Sequence, residues 1–366
     1  EVMLDGGGVV LVGERLATSP GALAAAASLA RTSGARLAWV PRRAGDRGAI
    51  EAGALPNLLP GGRPVADAAA RVDLAAAWGV ESLPETVGRD GDAIVAAAAA
   101  GELGGLVVGG VDPADLADPA GARAAIDAAA FVVSLELRES EVTRAADVVF
   151  PVAPVTDKSG VFVNWEGRVR SFDQVMHVPS SLPDLRVLAG VAEEMGVELG
   201  FRTVGEVQGE MREIGPWTVV EEGALAPAST PDSPAMPEPQ PPPGTASAGH
   251  GGTGPLVLAS WKQMLDDGRM QDGDEELRAT ARKPVLLVNA ATLGELGVAA
   301  GDLVTVTGPL GSLDLPVGVA DLVAGVVWTP ASAPDASARR LVGLAGCTVT
   351  VAGAARAVAA AEGGDA

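Results

Sequence analysis

The sequence predicts an α/β fold with a doubly wound parallel sheet, followed by a small β barrel. Two patterns lead to this prediction. Up to residue 220, short apolar runs alternate with helical segments of about 10 to 15 residues, which is typical of parallel sheets. After residue 254, apolar side chains recur at every second position, as they do in half-buried strands. With 366 residues, the chain is long enough for two domains with separate cores.

The first predicted domain, residues 1–220, consists of repeated strand and helix units. Ser19 and Pro20 have the residue types of an N-cap and a first helical position, and Asp118 and Pro119 repeat this pattern. The predicted strands cover residues 8–13, 36–40, 106–110, 131–135 and 147–151. Later helices are predicted over 183–196 and 204–214. The first of these two carries an apolar face formed by Leu185, Leu188, Val191, Ala192 and Met195.

A Pro-rich stretch, residues 221–254, separates this domain from the predicted barrel over 255–360. Its composition cannot bury enough apolar surface to form a core, so we expect a disordered linker with polyproline character. In the barrel domain, Asn289 is placed to cap a short helix over 290–296. Strands are predicted over 256–259, 284–288, 303–307, 312–319, 326–330 and 348–351.

Composition excludes several classes of function. A net charge of −21 disfavours binding to nucleic acid, since no continuous surface could neutralise phosphates. No apolar stretch is long enough for insertion into a membrane. The single cysteine, Cys347, excludes a disulfide framework and a cysteine-ligated cluster within these residues, and its apolar surroundings indicate a small buried hydrophobe. Because the sequence begins at Glu1 and not at Met, we expect it to be part of a longer protein.

The first group of candidate binding residues follows the strand over 106–110. Gly109 and Gly110 would let the backbone approach a ligand, and with Asp112 they precede a helix whose dipole favours anions. Glycine at the end of a parallel strand equally serves turn geometry alone. Neither a GxGxxG nor a Walker A pattern accompanies these residues, so the sequence does not support NAD or ATP binding.

The second group lies between residues 147 and 168. Asp147 is suited either to hydrogen-bond a ligand or to cap a turn. Farther on, a hairpin with Gly167 at positive φ would present Asn164, Glu166 and Arg168, either to a partner or as solvated charges. No catalytic triad, CxxC pair or set of metal ligands is evident, so we predict no catalytic and no metal-binding residue.

Three blocks resemble the molybdopterin oxidoreductase family. They cover Leu106–Pro113, Ala145–Val169 and the segment from Asn289 to Val306. The last is similar to the family's dinucleotide-binding barrel, which has the double-psi topology. Within this family, the Leu59–Arg63 loop and the Leu256–Gly273 segment are most similar to the branch found in bacterial, actinobacterial-like, NADH-quinone oxidoreductases (complex I).

The resemblance implies a structural role without a bound cofactor. The iron–sulfur clusters of that branch would belong to an N-terminal region ahead of Glu1, and the partners would be other subunits of the peripheral arm of complex I. The resemblance places this arm on the cytoplasmic side of the membrane, so we expect the protein there. The eight candidate residues would then be a vestigial cofactor pocket. The alternative is a truncated active enzyme of the formate dehydrogenase or nitrate reductase type, which would bind molybdopterin guanine dinucleotide.

Overall fold

The computed structural model describes residues 7–13, 16, 21–41, 43–116, 118–217, 254–271, 273–334 and 336–354. The chain divides into two compact units. One consists of Glu1–Ala38 together with Pro231–Ala366, and the other consists of Trp39–Thr230. The predicted linker lies outside the described residues except for Gly254, and so do Ser19 and Pro20. The predicted boundaries, 1–220, 221–254 and 255–360, therefore stay a prediction.

Helices and strands alternate through the first half of the described chain, and strands dominate the second half. The strands are β1 (Val9–Gly13), β2 (Arg36–Val40), β3 (Leu58–Leu59), β4 (Arg63–Pro64), β5 (Leu106–Gly109), β6 (Val132–Glu136), β7 (Val148–Pro151), β8 (Gly160–Val163), β9 (Val169–Phe172), β10 (Leu256–Trp261), β11 (Leu286–Val288), β12 (Leu303–Gly308), β13 (Gly311–Val319), β14 (Val326–Pro330) and β15 (Thr348–Gly353). The helices are α1 (Ala22–Ser33), α2 (Asp46–Glu51), α3 (Ala68–Trp78), α4 (Gly91–Ala99), α5 (Pro119–Ala128), α6 (Glu141–Ala145), α7 (Asp184–Glu194), α8 (Val204–Ile214), α9 (Glu275–Ala279), α10 (Ala290–Leu296) and α11 (Ala338–Leu341).

A parallel sheet in the order β5-β6-β7 confirms the predicted α/β class. Helices α5 and α6 connect its strands, and α4 packs against α5. Small side chains allow this close packing: Ala122 and Ala125 of α5 are each only 1% exposed. The predicted cap of α5 is also confirmed, because the Gly121 N–H donates to Asp118 Oδ1 at 2.9 Å and Pro119 occupies the first turn.

Three of the five residues in the predicted apolar face of α7 are exposed among the residues that the structure describes. Leu188, Val191 and Met195 are 49%, 39% and 77% exposed, and the buried residue of the helix is Val187. The periodicity placed the helix correctly, but its apolar stripe faces outward in the described part of the chain. This helix therefore has an apolar surface that the described residues do not cover.

The loop before β4 is held by Arg63, which is only 4% exposed. Its guanidinium donates five hydrogen bonds: Nε and Nη2 to Asp73 Oδ2 (2.8 and 2.6 Å), Nη1 to the carbonyls of Pro60 (3.0 Å) and Gly215 (2.9 Å), and Nη2 to the Ile214 carbonyl (2.9 Å). Arg63 therefore ties its own loop to α3 and to the C-terminal end of α8.

The second half of the described chain forms a closed six-stranded barrel in the order β10-β14-β11-β13-β12-β15, as the period-two pattern predicted. Its interior is apolar, and the Asn289 side chain accepts from the Thr292 N–H at 2.8 Å to cap α10 as predicted. Cys347 packs against this core, and its partial burial raises the pKa of the thiol, which favours the protonated form. The central core residues are Leu258, Leu286, Val288, Val304, Val306, Leu315, Val317, Val327 and Val351.

Helix α8 begins with a reciprocal capping box between Thr203 and Glu206. The Glu206 carboxylate accepts hydrogen bonds from the backbone N–H groups of Arg202 and Thr203 and from the Thr203 hydroxyl. These bonds lower the pKa of Glu206, and the bond from the Arg202 N–H has the largest effect. A carboxyl group whose pKa is lower in the folded than in the unfolded state stabilises the fold at pH values above its unfolded-state pKa. This stabilisation is lost as the pH falls through the lower, folded-state pKa.

Glu206→Gln is therefore expected to lower the Tm at pH 7, with a difference from wild type that shrinks as the pH falls below about 4. Thermal unfolding followed by circular dichroism at pH 7 and pH 3 measures this. Glu213→Gln, at the exposed opposite end of α8, is the matched control. An equal difference in Tm at both pH values would contradict the role of the ionised carboxylate.

Candidate functional site

Strands β5, β6 and β7 end together at what we call the carboxyl edge of the sheet, formed by Gly109, Glu136 and Pro151. Ligands of open α/β sheets bind beyond this edge. Gly110 follows with φ +61° and open space around it, so the positive φ of the turn, and not a close approach of another group, explains the glycine. Asp112 Oδ1 accepts from the Ala114 N–H at 2.9 Å and caps a short 3₁₀ turn. Three of the predicted residues therefore lie together at this edge.

Glu136 is a residue of this edge that the sequence analysis missed. Its carboxylate is buried, with the residue 8% exposed, and accepts from the Leu137 N–H at 2.9 Å. It lines a cavity of about 550 Å³ together with Arg138, Thr143 and Arg144. The signal in the sequence was an acidic residue at the last position of a buried strand, where a side chain enters the carboxyl edge.

A second cavity of about 440 Å³ lies between α5 and α6. Arg123 and Glu141 line it and form an ion pair with Nε and Oε2 at 2.6 Å. The hydrogen bond to Glu141 raises the pKa of the Arg123 guanidinium above its ordinary value, with a smaller contribution from the charge of Asp112. Because the pair already satisfies Arg123, little of its positive charge remains for an anionic ligand.

Asp147 lies at the opposite, amino-terminal edge of the sheet. The Val132 N–H, at the start of β6, donates to Asp147 Oδ2 at 2.7 Å, and the Asp147 N–H donates to the Val132 carbonyl at 2.9 Å. With strands of four and five residues, the two edges are about 13 to 16 Å apart. The sequence left open a ligand contact or a turn cap, whereas the Asp147 side chain binds the backbone at the start of β6. This places it away from Gly109, Gly110 and Asp112.

Asp147→Ala is expected to destabilise the protein by about 1–3 kcal/mol, because Val132 is 1% exposed and its N–H would lose its side-chain acceptor. Asp147→Asn keeps an oxygen acceptor and is expected to cost less. Urea denaturation of the two variants compares them. Equal losses of unfolding free energy in the two variants would show that the charge of Asp147, and not its hydrogen bond to Val132, stabilises the protein.

The other four predicted residues occupy the turn between β8 and β9, a separate two-stranded sheet. Asn164 Oδ1 accepts from the N–H groups of Glu166 (3.1 Å) and Arg168 (2.8 Å), and Gly167 has φ +84°, as predicted. Glu166 and Arg168 form an exposed ion pair at 3.2 Å. The eight predicted residues thus occupy three places: the carboxyl edge, the amino edge and this turn.

The described residues offer neither a cluster of metal ligands nor a membrane span. Among them, no group of three or more His, Cys, Asp or Glu side chains is arranged to hold a metal ion. None of the helices in the described ranges is both long and apolar enough to cross a membrane.

Comparisons with known proteins match both halves of the chain. A family model described as molybdopterin oxidoreductase matches residues 21–184, and one described as molydopterin dinucleotide binding domain matches residues 256–359. The G subunit of NADH-quinone oxidoreductase from Mycobacterium bovis is 47% identical over 343 residues, 93% of this chain and 41% of that protein. The Streptomyces coelicolor protein of the same name is 46% identical over 82% of this chain and 34% of its own length.

A second group of relatives is more distant. Formate dehydrogenase H of Escherichia coli is 30% identical over 172 residues, which is 46% of this chain and 24% of that enzyme. The chain therefore spans about two fifths or less of the curated relatives that it matches, and its similarity to the NADH-quinone oxidoreductase proteins is both higher and more extensive.

Proposed function

We propose a scaffold function for this chain, which belongs to the molybdopterin oxidoreductase family and is homologous to the G subunit of NADH-quinone oxidoreductase. In this proposal it is a structural part of the peripheral arm of complex I, on the cytoplasmic side of the membrane, where electrons pass from NADH to quinone. The other subunits of the arm are its partners. The iron–sulfur clusters are held by a region of the full-length protein outside this chain, and the chain itself performs no chemical step.

The observation that carries the proposal is the charge balance at the carboxyl edge. A pterin dinucleotide brings phosphate groups, which proteins bind with guanidinium or ammonium groups and helix N-termini. Here Glu136 is buried at the end of the central strand, and the pair with Glu141 neutralises Arg123. Glu139 lines the same cavity as the cations Arg138 and Arg144, and the charge of Asp112 acts on Arg123. Carboxylates that balance the arginines at this edge disfavour a phosphate-bearing cofactor and so support the proposal.

The alternative is an active molybdenum or tungsten enzyme related to formate dehydrogenase, with molybdopterin guanine dinucleotide at the same edge. The lower identity and shorter match to formate dehydrogenase H favour the NADH-quinone oxidoreductase assignment. The charge balance favours it independently, because an active enzyme would need an edge able to bind phosphate.

Metal analysis of the purified complex containing the full-length protein tests the proposal. Plasma mass spectrometry is expected to find iron but no stoichiometric molybdenum or tungsten, with a purified formate dehydrogenase as positive control. About one molybdenum or tungsten per complex would contradict the scaffold function.

A variant provides a second test. Glu136→Gln is expected to leave the NADH-quinone activity per assembled complex unchanged, with Glu139→Gln as the matched control beside it. Loss of activity in an intact complex for Glu136→Gln alone would assign a chemical role to the carboxyl edge.

A further inference from the structure

The outward face of α7 carries an apolar stripe. Leu188, Val191 and Met195 are spaced i, i+3 and i+7, so they lie on one side of the helix. Val197, just after the helix, is a further exposed apolar residue, 53% exposed. We call these four residues the α7 stripe. Single exposed apolar residues are ordinary on protein surfaces, whereas a contiguous stripe of large side chains indicates contact with another surface.

The C-terminal end of α7 carries more negative than positive charge. The backbone carbonyls give this end a partial negative charge, which helices usually balance with Lys, Arg or His in the last turn. The last turn of α7 contains no basic residue and instead carries Glu193 and Glu194. Glu193 pairs with Arg202 at 2.7 Å, but neither Glu194 nor Glu198 forms an ion pair with any residue that the structure describes.

We propose that the α7 stripe and its acidic end form a docking surface for an amphipathic helix of a partner protein that carries Lys or Arg beside its own apolar stripe. Apolar side chains at helical spacing suit a helix packed along α7. A cation of the partner near Glu194 and Glu198 would balance these two carboxylates, which form no ion pair with the described residues, and would also interact favourably with the helix dipole. The inference rests on the proposed function, since the partner is then another subunit of the same complex.

The test places a photo-crosslinking amino acid, benzoylphenylalanine, at Met195 in the full-length protein within the assembled complex. The matched control carries it at Met211, an exposed methionine on α8. Mass spectrometry after irradiation is expected to identify a crosslink from position 195 to a helical partner segment that contains Lys or Arg. The control position is expected to show no crosslink to that segment.

Charge and apolar variants then examine the two parts of the surface. Glu194→Lys combined with Glu198→Lys is expected to reduce the crosslink from position 195 at least tenfold, and Leu188→Ser combined with Val191→Ser to abolish it. Glu213→Lys on α8 is the charge control and is expected to change nothing. Circular dichroism establishes that each variant is folded.

Several outcomes overturn this inference. These are a crosslink to a second copy of the same protein, a crosslink only within the same chain, a partner segment without basic residues, and no crosslink at all. Co-purification of the complex before irradiation distinguishes a failure of the docking surface from a failure of the proposed function. A protein that is absent from the complex contradicts the proposed function, whereas one that is incorporated but not crosslinked contradicts only the docking surface.

Discussion

Arg63→Ala is expected to lower the free energy of unfolding by about 3–5 kcal/mol. Its guanidinium uses all five N–H groups in a site where the residue is 4% exposed. Alanine would leave the carbonyls of Pro60, Ile214 and Gly215 without this donor and would fill none of the vacated volume. The C-terminal end of α8 and the loop before β4 should therefore loosen together.

Hydrogen–deuterium exchange by mass spectrometry measures this effect locally, and urea denaturation measures it globally. The matched control is Arg89→Ala, which removes an exposed pair with Glu102 at 3.1 Å and is expected to cost less than about 1 kcal/mol. Arg63→Lys should restore only part of the stability, because an ammonium cannot reproduce the planar set of five donors. Similar losses for Arg63→Ala and Arg89→Ala would contradict the proposed importance of the buried network.

Features determined by neighbouring residues were predictable from the sequence. Asp118 with Pro119 and Asn289 mark helix starts because a cap needs only the side chain and an N–H two or three residues later. Gly167 marks the turn because few other residues tolerate its positive φ. The barrel strands were visible because apolar side chains alternate when one side of a strand faces a core.

Features determined by distant residues were not predictable. Arg63 is fixed by carbonyls about 150 positions farther along the chain. Asp147 resembles a residue at a ligand-binding edge, yet it meets Val132 at the other end of the strands. The apolar periodicity of α7 indicates a helix but does not say whether its stripe packs inside this chain or against another protein.

Leu315→Ala, in the barrel core, is expected to lower the free energy of unfolding by about 2–5 kcal/mol. Leu315 lies on β13, is 1% exposed and belongs to the apolar cluster that the six strands enclose. A closed barrel cannot easily collapse around a deleted side chain because each strand is hydrogen-bonded on both sides, so most of the cavity should remain. The loss should appear as faster exchange in all barrel peptides, since the core is shared by every strand.

Leu303→Ala provides the matched control for Leu315→Ala. Leu303 lies on the neighbouring strand β12, opposite Pro316, and is 57% exposed, so the same chemical change removes little buried surface. Its expected cost is less than about 0.5 kcal/mol. If the two substitutions destabilise the barrel equally, the effect comes from strand propensity and not from the core. A large difference between them instead identifies the enclosed apolar cluster as the main source of barrel stability, independently of any cofactor.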